Sequence, residues 1–123
     1  MKTSFIIFFI TVSLAACSQQ PSYQNVDNKK FSELMNKPNT VILDVRTPEK
    51  FERGHIPHAT LINLRDQNFS QQLDSLDKSK TYLVYCGSGS RSSKASGLLR
   101  KKGFTSIYNL EDGFSQWNGP TEK

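Results

Sequence analysis

The stretch from Thr81 to Phe104 reads TYLVYCGSGSRSSKASGLLRKKGF, and its pattern indicates the fold class of the chain. Its first five residues form a β-branched and aromatic run, which is typical of a buried parallel strand. Its second half places Ala95, Leu98 and Leu99 at helical spacing and stops at Gly103. Between these two patterns lies CGSGSR, a polar loop that is rich in glycine and serine. We therefore predict a strand, a tight loop and a helix in direct succession.

The same alternation continues on both sides of this unit. One helical pattern is capped by Asp27, three more begin at Pro48, Phe69 and Arg91, and a last short helix carries Phe114 and Trp117. Strand patterns occupy Thr40–Val45, Thr60–Asn63, Thr81–Tyr85 and Ile107–Leu110. Strands that alternate with helices at this spacing predict an α/β fold, with a mostly parallel central sheet and helices on both faces.

Length and composition limit the alternatives. A chain of 123 residues is one domain's worth, and 36% hydrophobic with 22% charged residues argues against wholesale disorder or a multi-span membrane protein. Two cysteines are too few for a disulfide scaffold or a four-cysteine metal site.

The amino-terminal residues have the pattern of an export signal. Met1-Lys2 is a short positive region, and the twelve residues 5–16 (FIIFFITVSLAA) are too few for a spanning helix, which needs about 20 apolar residues. Leu14 to Cys17 (LAAC) resembles the lipobox of bacterial lipoproteins. An ordinary signal peptide with a chance cysteine near its cleavage site is the alternative.

The lipobox resemblance implies cleavage before Cys17, lipid on that cysteine and attachment to a membrane. The expected location is the bacterial cell envelope, at the outer membrane facing the periplasm. We then divide the chain into a signal peptide (1–16), a lipidated tether (17–24), a domain (25–118) and a polar tail (119–123).

The positive charge does not predict a nucleic-acid partner. Removal of residues 1–16 takes away Lys2 and lowers the formal charge from +5 to +4. The remaining cations are scattered, and their densest cluster, Arg100-Lys101-Lys102, lies near a helix end, where cations favourably oppose the helix dipole. No aromatic residues alternate with the basic ones, as a surface that binds single strands requires.

The chemistry of the chain centres on Cys86. Glycines and serines let the loop curl so that several N–H groups point toward one atom, and the following helix directs its positive end at the sulfur. With Arg91 nearby, these groups stabilise a thiolate and predict a reactive, accessible thiol. A cysteine at the end of a buried strand is also often a small core residue, which is the alternative.

Five motifs in order resemble the rhodanese-like sulfurtransferases in their single-domain form. The resemblance covers roughly residues 25–117. The matching residues are Asp44-Val45-Arg46 with Pro48-Glu49 and Phe51, then Gly54-His55-Ile56-Pro57, then Tyr85-Cys86 with the loop to Arg91, then Gly103-Phe104, and finally Asn109-Leu110 with Gly113 and Trp117.

The resemblance implies a rhodanese-like three-layer fold and covalent sulfur transfer without a cofactor. The Cys86 thiolate would take the outer sulfur of an anionic donor such as thiosulfate, and cyanide or a thiol would remove it. The loop would bind the substrate through Gly87, Ser88, Gly89, Ser90, Arg91 and Ser92. Asp44 and Arg46 would support the loop, either as a structural ion pair or with Arg46 attracting the donor.

Two other chemistries fit parts of the pattern. Related cysteine-dependent phosphatases place five residues between cysteine and arginine, whereas Cys86 and Arg91 enclose four, which suits a single sulfur atom better than a phosphoryl group. A sulfur-carrier or docking module with the same fold and without turnover is the other alternative.

The chain departs from the family pattern at two positions, His58 and Asp112, where the family usually has glycine. His55 and His58 have no cysteine or acid at ligand spacing, so we expect no metal site. His55 is interpreted as a structural turn residue.

Overall fold

The structure is a computed structural model that describes residues 6, 7, 10 and 23–123. Cys17 and the lipobox lie outside these residues, so the predicted lipidation stays a prediction. Among the residues that the model describes, no helix is long and apolar enough to cross a membrane.

Five strands and four helices make up the described domain, followed by a 3-10 helix at Phe114–Gln116. The strands are β1 (Gln24–Val26), β2 (Thr40–Asp44), β3 (Thr60–Leu61), β4 (Thr81–Tyr85) and β5 (Ser106–Leu110). The helices are α1 (Asn28–Met35), α2 (Pro48–Arg53), α3 (Phe69–Asp74) and α4 (Ser90–Lys101).

The strands form one parallel sheet in the order β1-β5-β4-β2-β3. The chain leaves β2 toward one edge, returns past it to β4 and continues toward the other edge. The carboxyl ends of β2 and β4 are therefore the topological switch point, where open α/β sheets form their binding crevices. Asp44 and Tyr85 are register partners at this point, one residue before the Cys86 loop begins.

Alternate residues of the central strands pack against opposite helical layers, as the period of a strand requires. Val84 and Cys86 join the cluster that contains α3 and α4 side chains. Leu83 and Tyr85 join the cluster that contains Phe31 of α1. The predicted α/β architecture, with a parallel sheet covered on both faces, is confirmed.

The local predictions hold best where the pattern is strongest. β4 matches its predicted span, and α4 starts one residue earlier than predicted. The Asp27 side chain caps α1 by accepting a hydrogen bond from the Lys30 backbone N–H at 2.8 Å. Thr47 occupies the N-cap of α2, but its side chain makes no capping hydrogen bond.

The structure differs from the sequence prediction at both ends of the domain. Gln24, predicted to end the tether, is the first residue of β1, and the preceding Tyr23 packs against the core. In the predicted polar tail, Glu122 exchanges two backbone hydrogen bonds of 2.9 Å with His55. Pairing with β5 and with His55, both distant in sequence, orders these short polar segments.

Candidate active site

Cys86 directly follows β4 and begins a loop that leads into α4. The loop turns at Gly89, whose φ of +94° is rarely adopted by residues with a side chain. A Cβ atom at this position would also lie 1.9 Å from the carbonyl oxygen of Glu111. Both backbone conformation and space therefore require glycine here.

Backbone N–H groups converge on the sulfur of Cys86. Gly89 and Ser92 donate to Sγ at 3.1 and 3.3 Å. Burial of the thiol raises its pKa, but hydrogen bonds from the Ser92 side chain and from the backbone of Ser92, Ser88 and Gly89 outweigh burial and hold the pKa of Cys86 below its ordinary value. The predicted inward-facing amides are present, whereas Arg91 is not among the principal causes of the lowered pKa.

Cys86 lines a cavity of about 350 Å³. The cavity is lined by Lys50, Cys86, Gly87, Ser88, Ser90, Arg91 and Ser115. Cys86 is only 1% exposed, so the expectation of an openly accessible thiol is wrong. The loop curls around the sulfur and the residue packs into the core, which leaves the cavity as the route to the thiol.

The loop is supported from behind by the segment that follows β5. Phe114 and Ser115 donate backbone N–H groups to the carbonyl oxygens of Cys86 and Gly87 at 2.7 and 3.0 Å. Asn109, at 2% exposure, approaches the Gly89 carbonyl oxygen with its Nδ2 at 3.4 Å. These contacts fix the carbonyl side of the loop, so that its N–H groups face the sulfur.

Asp44 and Arg46 form a buried ion pair beside this loop. Arg46 Nη2 lies 2.6 Å from Asp44 Oδ2, and Tyr85 donates its hydroxyl to the same carboxylate oxygen at 2.6 Å. Burial opposes the charge on Arg46, but the hydrogen bond and charge of Asp44 raise the pKa of the guanidinium above its ordinary value. Burial, and then the charge of Asp44, raise the pKa of Tyr85.

Arg46 itself does not line the cavity, but it contacts residues in or next to two elements that do, the 3-10 helix and α2. Its Nη2 donates to the Gly54 carbonyl oxygen at 2.7 Å, and its guanidinium lies 4.2 Å from the centre of the Phe114 ring. Arg46 is 5% exposed and is not among the residues that line the cavity, so it is not placed to meet a donor there. The structural interpretation of the Asp44–Arg46 pair is therefore the one that the geometry favours.

The predicted loop residues separate into two groups. Gly87, Ser88, Ser90 and Arg91 line the cavity, whereas Gly89 and Ser92 are buried and contact the sulfur with their N–H groups. Lys50 and Ser115 also line the cavity and were not predicted. Neither is among the residues that match the family motifs, although both stand between such residues, and only the tertiary fold brings α2 and the 3-10 helix to the Cys86 loop.

His55 and His58 belong to the contact with the carboxyl-terminal segment. The His55 ring stacks on Phe51 at 3.7 Å, and its Nε2 lies 3.4 Å from Glu122 Oε1. His58 has a φ of +65°, the conformation that a glycine would favour, and its N–H donates to the same carboxylate. Within residues 23–123, no three histidine, cysteine or acidic side chains cluster as metal ligands do.

A second cavity of about 400 Å³ lies between the end of α1 and the loop before β3. Its lining residues include Met35, Ile42 and His58, and it contains no cysteine. The larger cavity is therefore not the one that contains the nucleophile.

Fold and site together define a parallel α/β protein with one activated cysteine at its topological switch point. The family model for the rhodanese-like domain matches residues 27–120. The chain belongs to this family.

Relatives within the family differ in what they do. The chain is 33% identical to the thiosulfate sulfurtransferase GlpE of Coxiella burnetii, over 77% of this chain and 87% of that protein. It is 31% identical to the tRNA uridine(34) hydroxylase of Pelagibacter ubique and spans 40% of that protein's length. It is 35% identical to YrkF of Bacillus subtilis, named as a candidate sulfur carrier, and spans 43% of its length.

Among solved structures, the rhodanese-like domain of the Anabaena protein Alr3790 superposes with a TM-score of 0.70 at 29% identity. The match covers 84% of this chain and 79% of that domain. These comparisons support sulfur-transfer chemistry in general.

Proposed function

We propose that this chain is a sulfurtransferase that moves a sulfane sulfur from thiosulfate, or a related anionic donor, to a nucleophilic acceptor through a Cys86 persulfide. The main support is that Cys86 lines a cavity and that its sulfur accepts hydrogen bonds from the backbone N–H groups of Gly89 and Ser92. The likeness to GlpE over most of both chains supports the same activity.

The first step is nucleophilic displacement at sulfur. The Cys86 thiolate attacks the outer sulfur of thiosulfate, a new S–S bond forms, and the original S–S bond breaks with its electron pair leaving on sulfite. The product is an anionic persulfide on Cys86. The amides that hold the thiolate are positioned to stabilise this second anion as well.

The second step returns the enzyme to its starting state. A nucleophile such as cyanide or a thiolate attacks the outer sulfur of the persulfide, and the electron pair of the broken bond returns to Cys86. With cyanide the product is thiocyanate. The loop residues Gly87, Ser88, Ser90 and Arg91 border the space that both small substrates would occupy.

A sulfur carrier without turnover on small donors is the second candidate function. The likeness to YrkF favours it, although the chain spans less than half of that protein. A carrier would keep Cys86 and accept sulfur from another protein's persulfide, but would release little thiocyanate from thiosulfate and cyanide.

We propose in addition that Cys17 carries lipid and holds the domain at the bacterial envelope, with the outer membrane facing the periplasm as the expected site. The LAAC sequence and the short apolar segment before it support this location. Metabolic labelling with a fatty-acid precursor tests it: label should be lost in Cys17→Ala and retained in Cys86→Ala.

Release of thiocyanate from thiosulfate and cyanide tests the proposed activity. The reduced wild-type protein should turn over, and Cys86→Ser should not. Turnover that survives in Cys86→Ser would exclude the persulfide mechanism, and a folded wild type without turnover would favour the carrier.

A further inference from the structure

A lysine that is not among the matching residues of any motif lines the same cavity as Cys86. Lys50 lies in the middle of α2 and shares the cavity with Arg91, which comes from the start of α4. These two cations stand on different elements. Neither belongs to the set of groups that hold the sulfur itself.

The charge of this cavity is unbalanced. Its lining contains two cations, three serines, one glycine and the Cys86 thiol, but no carboxylate. Within residues 23–123, neither Lys50 nor Arg91 takes part in a salt bridge. Both charges are therefore free to act on an anion that enters.

The position of Lys50 is set by the buried ion pair. Arg46 precedes α2 by two residues, and its Nη2 holds the Gly54 carbonyl oxygen just after α2 at 2.7 Å. Asp44 in turn fixes Arg46. The carboxyl-terminal end of this short helix is thereby attached to a buried side chain whose own backbone lies two residues before the helix begins, which restricts the position of Lys50 beside the cavity.

We propose that Lys50 is a specificity-determining residue that favours dianionic sulfur donors over monoanionic ones. The donor class is a small sulfonate-like dianion with a terminal sulfane sulfur, such as thiosulfate. This inference rests on the proposed function for its substrate. Its electrostatic part concerns the cavity alone and is open to a separate test.

The physical reason follows from where charge resides during transfer. When the outer sulfur reaches Cys86, the rest of the donor occupies the cavity that Lys50 and Arg91 border. On bond cleavage that part leaves as sulfite with two negative charges. A cation beside it stabilises a dianion about twice as strongly as a monoanion, because the Coulomb energy is proportional to charge.

Alkylation of Cys86 tests the electrostatic part without sulfur transfer. Iodoacetate and iodoacetamide have the same leaving group and differ by one charge, so the ratio of their rate constants reports the potential at the thiol. Lys50→Ala should lower this ratio about fivefold at low salt, the effect of one unit charge at about 4 Å in water. Lys50→Arg should preserve it.

Lys29→Ala is the matched control, since it removes the same charge from an exposed position on α1 that does not line the cavity. It should leave the ratio unchanged. An unchanged ratio in Lys50→Ala, or an equal fall in Lys29→Ala, would overturn the proposal.

Donor kinetics test the specificity itself. For Lys50→Ala, kcat/KM for thiosulfate should fall about tenfold or more, and by a smaller factor for a monoanionic thiosulfonate. Equal losses for both donors would contradict the proposed selection. Failure of the sulfurtransferase function is recognised separately, because a wild type that releases no thiocyanate still gives the alkylation ratio.

Discussion

Gly113 lies so close to Gly87 that a Cβ atom on Gly113 would be 2.4 Å from the Gly87 carbonyl oxygen. The segment after β5 thus presses directly on the loop that holds the nucleophile. The next two residues, Phe114 and Ser115, donate hydrogen bonds to the same loop. The geometry of the sulfur site therefore depends on a glycine that follows Cys86 by 113 − 86 = 27 positions in the sequence.

Gly113→Ala should damage both stability and activity. Its φ of +71° with ψ of −177° is a combination that essentially only glycine adopts and that costs a side-chain residue about 1–3 kcal/mol, and the contact with Gly87 adds to that cost. We expect a loss of about 2 kcal/mol or more in the free energy of unfolding, measured by urea denaturation, and a greater proportional loss of thiocyanate release.

Gly97→Ala is the matched control. It lies inside α4 with no atom within 4 Å of an added Cβ, so alanine should stabilise the protein by about 0.5–1 kcal/mol and leave activity unchanged. Normal activity in Gly113→Ala would contradict the support that we assign to this segment.

Ser92→Ala should raise the pKa of Cys86. The Ser92 side chain is one of the groups that lower the pKa of Cys86, and its hydroxyl also donates to the Gly89 carbonyl oxygen of the same loop at 3.1 Å. The substitution removes this hydroxyl, whereas the Ser92 backbone N–H still reaches the sulfur. The midpoint of the pH–rate profile for alkylation by iodoacetamide should therefore move to higher pH.

Ser96→Ala is the control for this change. Ser96 is buried one turn further along α4 and donates to the Ser92 carbonyl oxygen at 2.7 Å, without contact to the sulfur. If both variants shifted the midpoint equally, the effect would belong to the helix and not to the Ser92 hydroxyl.

The lowered pKa of Cys86 also predicts how stability depends on pH. Between the folded-state pKa and the higher pKa of the unfolded chain, only the unfolded chain carries the proton, so stability rises with pH. This contribution is complete above the unfolded pKa and is lost as the pH falls through the folded one.

The measurement is urea denaturation across this pH window for wild type and Cys86→Ala. Subtracting the two curves removes the titrations that both proteins share. The difference should increase with pH, and a difference that falls would contradict the lowered pKa.

The Asp44–Arg46 pair should be costly to break. Arg46→Ala leaves a carboxylate that is 0% exposed and that keeps two neutral donors, the Tyr85 hydroxyl and the backbone N–H of residue 46, but no cation. The loss of one partner from a buried pair costs about 3–5 kcal/mol. Urea denaturation measures this cost. Tyr85→Phe keeps both charges and should cost less, about 1–3 kcal/mol.

If the pair acts through α2, Arg46→Ala should also lower the ratio of iodoacetate to iodoacetamide alkylation, in the same direction as Lys50→Ala. Tyr85→Phe should not change that ratio. A destabilised Arg46→Ala protein with an unchanged ratio would limit Arg46 to a role in stability.

Sequence patterns predicted the parallel α/β fold and the position of Cys86 because both depend on local signals. β4 is an uninterrupted apolar run and α4 has helical spacing, so their order along the chain places the loop. β1 escaped prediction because it has only three residues, of which Val26 alone is apolar, and such a short segment forms a strand only through pairing with β5. The sequence of residues 24–26 alone does not indicate that β5 pairs with them.

Only the part of the site that depends on residues near Cys86 in the sequence could be predicted. The amide donors to Cys86 come from the loop and from the first turn of α4, within six residues of the sulfur. Lys50 and Ser115 come from distant elements. The burial of Cys86 was also missed, because the polarity of its loop suggested exposure, whereas the packing behind the loop determines it.

Intact mass spectrometry after exposure to thiosulfate tests the Cys86 persulfide most directly. The reduced wild-type protein should gain the mass of one sulfur atom, cyanide should remove this increment with release of thiocyanate, and Cys86→Ser should gain nothing. A reduced, folded wild type that gains no sulfur and releases no thiocyanate, or a Cys86→Ser protein that gains the same increment, would exclude transfer through Cys86.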